Sequence, residues 1–154
     1  MKTKALLAVV LVLSLAAMAC RINIDLPEIE YRTSATVTEE VRVPVPDGST
    51  PVDVSLNFGA GQLNLDPGAE QDLIQGTATY NVPDFKPRLV TTTSGIELSS
   101  GELEINAIPR LANDIENKWD LQLGSTPMNL EINAGAYQGR YELGGLALTG
   151  LDIS

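Results

Sequence analysis

Val54-Ser55-Leu56-Asn57-Phe58-Gly59-Ala60-Gly61-Gln62-Leu63-Asn64-Leu65 is the stretch that decides the fold. Apolar side chains take every second position on both sides of a glycine-rich break. A period of two places them on one face of an extended strand, with Ser55, Asn57 and Asn64 on the other. The same unit, two apolar residues around one polar or small residue, recurs further along the chain. It appears as Ile96-Glu97-Leu98, Leu103-Glu104-Ile105, Leu121-Gln122-Leu123 and Leu130-Glu131-Ile132, then as Tyr141-Glu142-Leu143, Leu146-Ala147-Leu148 and Leu151-Asp152-Ile153. Turn-forming residues stand between the units: Ser100-Gly101, Gly124-Ser125-Thr126-Pro127, Gly144-Gly145 and Thr149-Gly150. No stretch beyond residue 20 shows a comparable 3.6 period, and Ile74–Tyr80 reads as a strand. The domain is expected to be all-β.

Spacing refines the expectation. The three closing units recur every five residues, tighter than a sandwich, whose turn signals come about every 8–12 residues. Two inward aliphatics and a glycine corner per pentad suit a solenoid. Units seven residues apart, 56 to 63 and 96 to 103, suit narrow hairpins. Val41, Val43 and Val45, joined to Val52–Phe58 through Pro46-Asp47-Gly48, predict another hairpin. Pro44 lacks an N–H, so the first strand belongs at a sheet edge. The expected architecture is an N-terminal β-meander with hairpins leading into the first rungs of a β-solenoid, open at the C-terminal edge. The pattern reaches Ser154 without a cap, which predicts edge-to-edge self-association or a chain truncated from a longer protein.

Ahead of this domain lie Lys2 and Lys4, an apolar run from Ala5 to Ala17 broken only by Ser14, and then Met18-Ala19-Cys20. A basic start, an apolar stretch of this length and a small-residue ending form a secretory signal. Ala5 to Cys20 would reach about 24 Å as a helix, short of the roughly 30 Å hydrocarbon core of a bilayer. Ala17-Met18-Ala19-Cys20 resembles the lipobox of bacterial lipoproteins. That resemblance implies cleavage between Ala19 and Cys20, a diacylglyceryl group on the Cys20 thiol and a fatty acyl group such as palmitate on the new amino terminus. The expected organisation is a signal peptide over 1–19, lipidated Cys20 with a tether over 20–38, and the β domain over 39–154. About 15 extended residues of tether span about 50 Å. Within it Ile22-Asn23-Ile24-Asp25-Leu26 alternates, so a short docked strand stays open as an alternative. The protein is expected to be exported and held by its lipid on a bacterial membrane, facing outside the cytoplasm.

Composition removes whole classes of chemistry. The chain has 154 residues, enough for one domain, and 20 acidic against 10 basic side chains give a net charge of −10. Binding to a nucleic-acid backbone needs the opposite balance. With no histidine there is no Ser-His or Cys-His nucleophile pair and no imidazole metal ligand, and a single cysteine forms no internal disulfide. No cofactor or metal is implied. Glu97, Glu102, Glu104 and Glu131 are the candidates for an acid/base pair or a hard-cation site. A period of two instead places Glu97, Glu104 and Glu131 on the solvent side of their strands. Gly59-Ala60-Gly61 lacks the helix and the Lys-Ser/Thr pair of a phosphate loop and reads as a corner with positive φ. Lys86 and Lys118 have no context that would activate them in a Ser-Lys dyad. Thr91-Thr92-Thr93-Ser94 reads as a strand with outward hydroxyls, and Asp66-Pro67-Gly68 as a turn. Trp119, Tyr137, Tyr141, Tyr80 and Phe85 form either a sugar-stacking surface or core, and core is the simpler assignment. Asn106–Asn117, the least patterned stretch, is expected to be a loop suited to binding.

The runs Val54–Ala69 and Gly76–Asn81, with Trp119–Leu123, Leu130–Ala136 and the closing units, resemble the toast-rack domains. These are extracytoplasmic β-solenoid modules related to the C-terminal region of LiaF-type cell-wall-active antibiotic response proteins. The resemblance spans about residues 50–154 and implies the N-terminal toast-rack part. It implies a non-catalytic module at the cell envelope, linked to sensing of envelope damage. Such a module serves as a scaffold or recognition unit for a protein or an envelope polymer. The rival expectations are a carboxylate-dependent enzyme acting on cell-wall glycans and a truncated product without a function of its own.

Overall fold

The computed structural model describes residues 33–48, 51–101 and 115–154. The signal segment, Ala19, Cys20 and the tether up to residue 32 lie outside the described residues, as do Glu102, Glu104 and residues 106–114. The strands are β1 (Val37–Pro44), β2 (Val52–Ala69), β3 (Asp72–Tyr80), β4 (Pro87–Thr91), β5 (Gly95–Ser100), β6 (Asn117–Gly124), β7 (Met128–Tyr141) and β8 (Leu148–Ile153), with one 3-10 turn at Pro83–Phe85. The alternation therefore does give an all-β fold.

β2 organises the molecule. It runs for 18 residues, straight through Gly59-Ala60-Gly61. β7 pairs with it in parallel from Val52↔Met128 to Leu65↔Tyr141. The opposite edge of β2 is shared: the first half pairs in parallel with β5, the second half with β6. Two layers follow, β4-β5-β2-β7-β8 and β1-β3-β6-β2-β7, joined through the long strands. β4 is antiparallel to β5, β3 to β6 and β1 to β3, whereas β8 runs parallel to β7. The eight-stranded sheet thus curls nearly into a barrel whose end strands, β1 and β4, do not pair with each other.

The bend in β2 follows from its sequence. Before it Val52, Val54, Leu56 and Phe58 are buried; after it Leu63 and Leu65 are. That switch from even to odd positions requires an irregular residue. Gly61 supplies it with φ +131°, and a Cβ there would lie 2.0 Å from the Asn117 carbonyl oxygen. Side chains satisfy the corner's backbone: Gly59 N–H donates to Ser100 Oγ (3.0 Å), and Asn117 Nδ2 donates to the Ala60 carbonyl (2.7 Å). β7 bends alongside, at Ala134-Gly135-Ala136.

Both layers close on one core in which Leu56, Leu63, Leu65, Leu121, Leu123, Leu130 and Ile132 are buried. Trp119 is fully buried and meets Phe58 edge-on, with centroids 5.2 Å apart at 68°. Tyr80, Val82 and Phe85 make a smaller cluster with Ile115. Tyr137 and Tyr141 pack half-buried against the main core. The five aromatics are therefore core and core margin, not an exposed stacking platform.

Several local expectations are corrected. β1 pairs with β3, from Val37↔Tyr80 to Val43↔Ile74, and not with β2. The physical reason is that both edges of β2 are already occupied by β5, β6 and β7. Residues 56–58 and 63–65 lie on one bent strand instead of the two arms of a hairpin. Asp66-Pro67-Gly68 belongs to the bulged end of β2 opposite Leu123 and Gly124. Thr92 begins a turn, its N–H and hydroxyl both bonded to the Gly95 carbonyl (2.8 and 3.1 Å). The closing pentads are not three rungs: Tyr141 ends β7, Leu143 and Leu146 lie in the connection, and Leu148, Leu151 and Ile153 share β8. Five residues are too few for both a paired strand and a corner. β2 and β7 stack as bent parallel strands, but the described residues form no coil of successive rungs. Among the described residues Pro44 does end an edge strand, at a register shift, and nothing pairs with the outer side of β8.

Candidate functional site

Glu97, Ser55, Glu131 and Asp152 stand in register on the outer face, across β5, β2, β7 and β8. A chain of amides ties the neighbouring row. Asn57 Nδ2 donates to Glu97 Oε1 (2.8 Å), and Asn133 Nδ2 donates to Asn57 Oδ1 and Glu131 Oε1 (both 3.0 Å). Ser154 Oγ donates to Asn133 Oδ1 (2.7 Å). Beside this row lies an open depression of about 380 Å³, lined by Asp53, Ser55, Thr92, Glu97, Asn129 and Glu131. Glu97 and Glu131 flank Ser55 at two strand spacings, roughly 9–10 Å between backbones. They project side by side from one sheet face, as a period of two predicts, whereas glycoside hydrolysis needs carboxyl groups facing each other across a sugar. Among the described residues no group of three or more acidic or cysteine side chains is placed to hold a metal ion.

Neither candidate lysine is free. Lys86 Nζ lies 3.1 Å from Glu39 Oε1, and Lys118 Nζ lies 2.7 Å from Asp120 Oδ2. The hydrogen bond to Glu39 raises the Lys86 pKa, opposite to what a nucleophilic lysine requires. In return Lys86 and then Tyr80 hold the Glu39 carboxyl below its ordinary value. Burial works against the Asp120 carboxylate, but Lys118 and Asn64 outweigh it and keep its pKa low. Burial, with the Tyr137 phenol beside it, drives the Tyr141 pKa up.

These shifts set a pH profile. Glu39 and Asp120 stabilise the fold fully above their ordinary values of 4.5 and 3.8 and lose that contribution as pH falls through the lowered folded values. Tyr80 and Tyr141, raised by burial, stabilise it below the ordinary 10.0 and cease to do so as pH rises further. With no histidine to titrate between, the thermal midpoint should stay flat from about pH 5.5 to 8.5. It should fall only on the acid and alkaline sides. A calorimetric series over pH 3–11 checks this, and a step near pH 6–7 would contradict it.

The second feature is an edge. Ile96 and Leu98, Val54 and Leu56, then Leu130 and Ile132 stack as buried pairs across β5, β2 and β7. Leu151 and Ile153 of β8 continue the stack opposite Leu130 and Ile132, yet they are 49% and 45% exposed. Among the described residues nothing pairs with the outer side of β8, nor with β7 beyond its β8-paired part on that side. Unpaired N–H and C=O groups beside exposed aliphatics form a template for a further strand.

Sequence reasoning missed the residues that make these features specific. Asn57 and Asn133 occupy matching positions after Leu56 and Ile132, a repeat that was legible. Ser100 and Asn117, which hold the corner, sat in stretches read as a turn and a loop.

Residues 28–154 match the model of a family described as the N-terminal domain of toast_rack, DUF2154. The chain belongs to this toast-rack N-terminal domain family. Its fold also occurs in a crystal structure of a candidate cell adhesion protein from Clostridium sporogenes ATCC 15579, with a TM-score of 0.68 and 24% sequence identity. That match covers 77% of this chain but 56% of the neighbour, so the chain spans little more than half of the neighbour's length. No curated protein matches the chain.

Proposed function

We propose that this toast-rack domain is a non-catalytic, extracytoplasmic lipoprotein, anchored through Cys20, that serves as a scaffold or recognition module at the cell envelope. The observation that carries the reading is the β8 edge, uncovered among the described residues, with Leu151 and Ile153 half in water. A strand from a partner, or from a second copy, gains backbone hydrogen bonds there and buries both aliphatics. The family fits a module of this kind, and the toast-rack resemblance adds a connection to envelope-stress sensing. The candidate cell adhesion protein of the same fold supports recognition over catalysis. The lipobox-like Ala17-Met18-Ala19-Cys20 supports the anchor, because two acyl chains give stable membrane attachment where one gives marginal attachment.

Cys20→Ser tests the anchor. The wild type is expected in the membrane fraction and the variant in the soluble fraction; a variant that stays with the membrane contradicts lipidation at this residue. A second reading, a glycan-cleaving enzyme, draws on Glu97 and Glu131 lining one depression. Glu97→Gln and Glu131→Gln should leave stability within about 1 kcal/mol of wild type, since both are outward-facing. Hydrolysis of cell-wall glycan by the wild type that either variant abolishes would establish the enzyme in place of the scaffold.

A further inference from the structure

The two end strands of the sheet face each other across a seam. Among the described residues β1 pairs only with β3, and β4 only with β5. Near the corner the seam is bridged by Lys86 Nζ and Glu39 Oε1. Beyond that ion pair a groove of about 150 Å³ is lined by Val41, Val43, Leu89 and Leu98, with Glu40 and Arg42 at its rim. Leu89 stands opposite Leu98 in the β4–β5 register and so shares its inward face, yet it is 44% exposed where Leu98 is 2%. A leucine on the core side left half in water marks a missing neighbour strand, not a solvent face.

We propose that this seam is the docking site of Ile22-Asn23-Ile24-Asp25-Leu26, the alternating segment of the same chain that precedes β1. Three observations select this occupant. Its length equals that of β4, which is five residues long, and of the Glu39–Val43 stretch that lines the groove. Its pattern places Ile22, Ile24 and Leu26 on one face, towards Val41, Val43 and Leu89, with Asn23 and Asp25 outward. Its attachment is short. The Ser34 N–H and hydroxyl both donate to the Asn81 carbonyl (2.7 and 3.0 Å) and fix the approach to β1. Residues 27–32, starting with Pro27, remain for the reversal, within the usual range of connections. Such a tether gives the segment an effective concentration in the millimolar range, which a free peptide lacks.

The docked strand runs antiparallel to β1 and fills the gap in the barrel. Resting on the anchor proposed above, docking leaves only Arg21 between the lipidated Cys20 and the domain, which draws the β surface down to the bilayer. Release restores a spacer of about 50 Å. The seam therefore sets how far the module stands from its membrane.

Amide hydrogen exchange on the full chain purified in detergent, followed by mass spectrometry, tests the docking whether or not the anchor is present. In the wild type, peptides covering residues 21–32 and 87–91 should exchange at least tenfold more slowly than in Ile22→Asp/Ile24→Asp. Leu89→Lys, which leaves the segment itself intact, should release residues 21–32 to the same degree. Peptides from β2 and β6 report that the fold persists. Exchange of residues 21–32 at the rate of an unfolded chain in the wild type overturns the proposal. So does a β4 peptide unchanged by the aspartates, or protection that rises with protein concentration, which would assign the seam to a second copy.

Discussion

Gly61→Ala should destabilise the protein by about 3–5 kcal/mol, from two costs that add at one atom. The backbone at φ +131° is strained for any side chain, at about 1–3 kcal/mol. The new Cβ also meets the Asn117 carbonyl at 2.0 Å. That oxygen belongs to the backbone of β6 and cannot swing aside, so the layers must shift, a further cost of about 1–3 kcal/mol. Gly48→Ala separates the two terms, because Gly48 has φ +108° with nothing within 4 Å of the added Cβ. It should show the strain alone. Urea unfolding of both variants, followed by Trp119 fluorescence, gives the comparison. Equal losses would mean that the corner is not the close contact described here.

Trp119→Ala should cost about 3–5 kcal/mol, since truncating a buried tryptophan removes its transfer energy and leaves a cavity. Trp119 is fully buried between the two layers and packs edge-on against Phe58, so the space cannot collapse without moving both. Its Nε1 has no hydrogen-bond partner among the described residues. Trp119→Phe therefore forfeits volume without breaking a polar contact, and should cost about 1–2 kcal/mol. This is the sole tryptophan, so circular dichroism is the appropriate readout of unfolding. A Trp119→Ala loss below about 1 kcal/mol would place the side chain outside the core.

The period of two was enough to identify the buried strands β2, β5, β6 and β7 and their inward faces, because burial on one side of a strand imposes that pattern directly. It did not reveal β4 (Pro87–Thr91), which has no such alternation. Val54, Leu56, Leu63, Leu65, Leu121, Leu123, Leu130 and Ile132 are all buried, as their alternation requires. Strand partners were not legible in the same way. Pro46-Asp47-Gly48 has the chemistry of a hairpin turn, but whether β1 folds onto β2 depends on whether β2 has a free edge. Residues 95–141 decide that. Gly59-Ala60-Gly61 posed the same ambiguity: glycine permits a reversal or a bend, and only the partners β6 and β7 on both sides of the second half select the bend. Period alone placed Glu97 and Glu131 on the outer face, where they stand, while Glu104 lies outside the described residues. The asparagine row that ties Glu97 to Glu131 depends on register between strands distant in sequence. Cys20 and its neighbours were read from a signal pattern and lie outside the described residues, so the anchor rests on chemistry and not on the fold.

In the function proposed above, the β8 edge left open among the described residues, and not the carboxylate face, receives the partner. Sedimentation equilibrium of the Cys20→Ser chain at 0.15 M salt, where charges are screened beyond about 8 Å, tests it most directly. The net charge of −10 should then no longer dominate. The account predicts reversible association that strengthens with concentration. It should be lost in Leu151→Lys/Ile153→Lys without a change in melting midpoint beyond a few degrees, because both side chains already stand half in water. A strictly monomeric parent chain, or a lysine variant that associates as strongly as its parent, would contradict it.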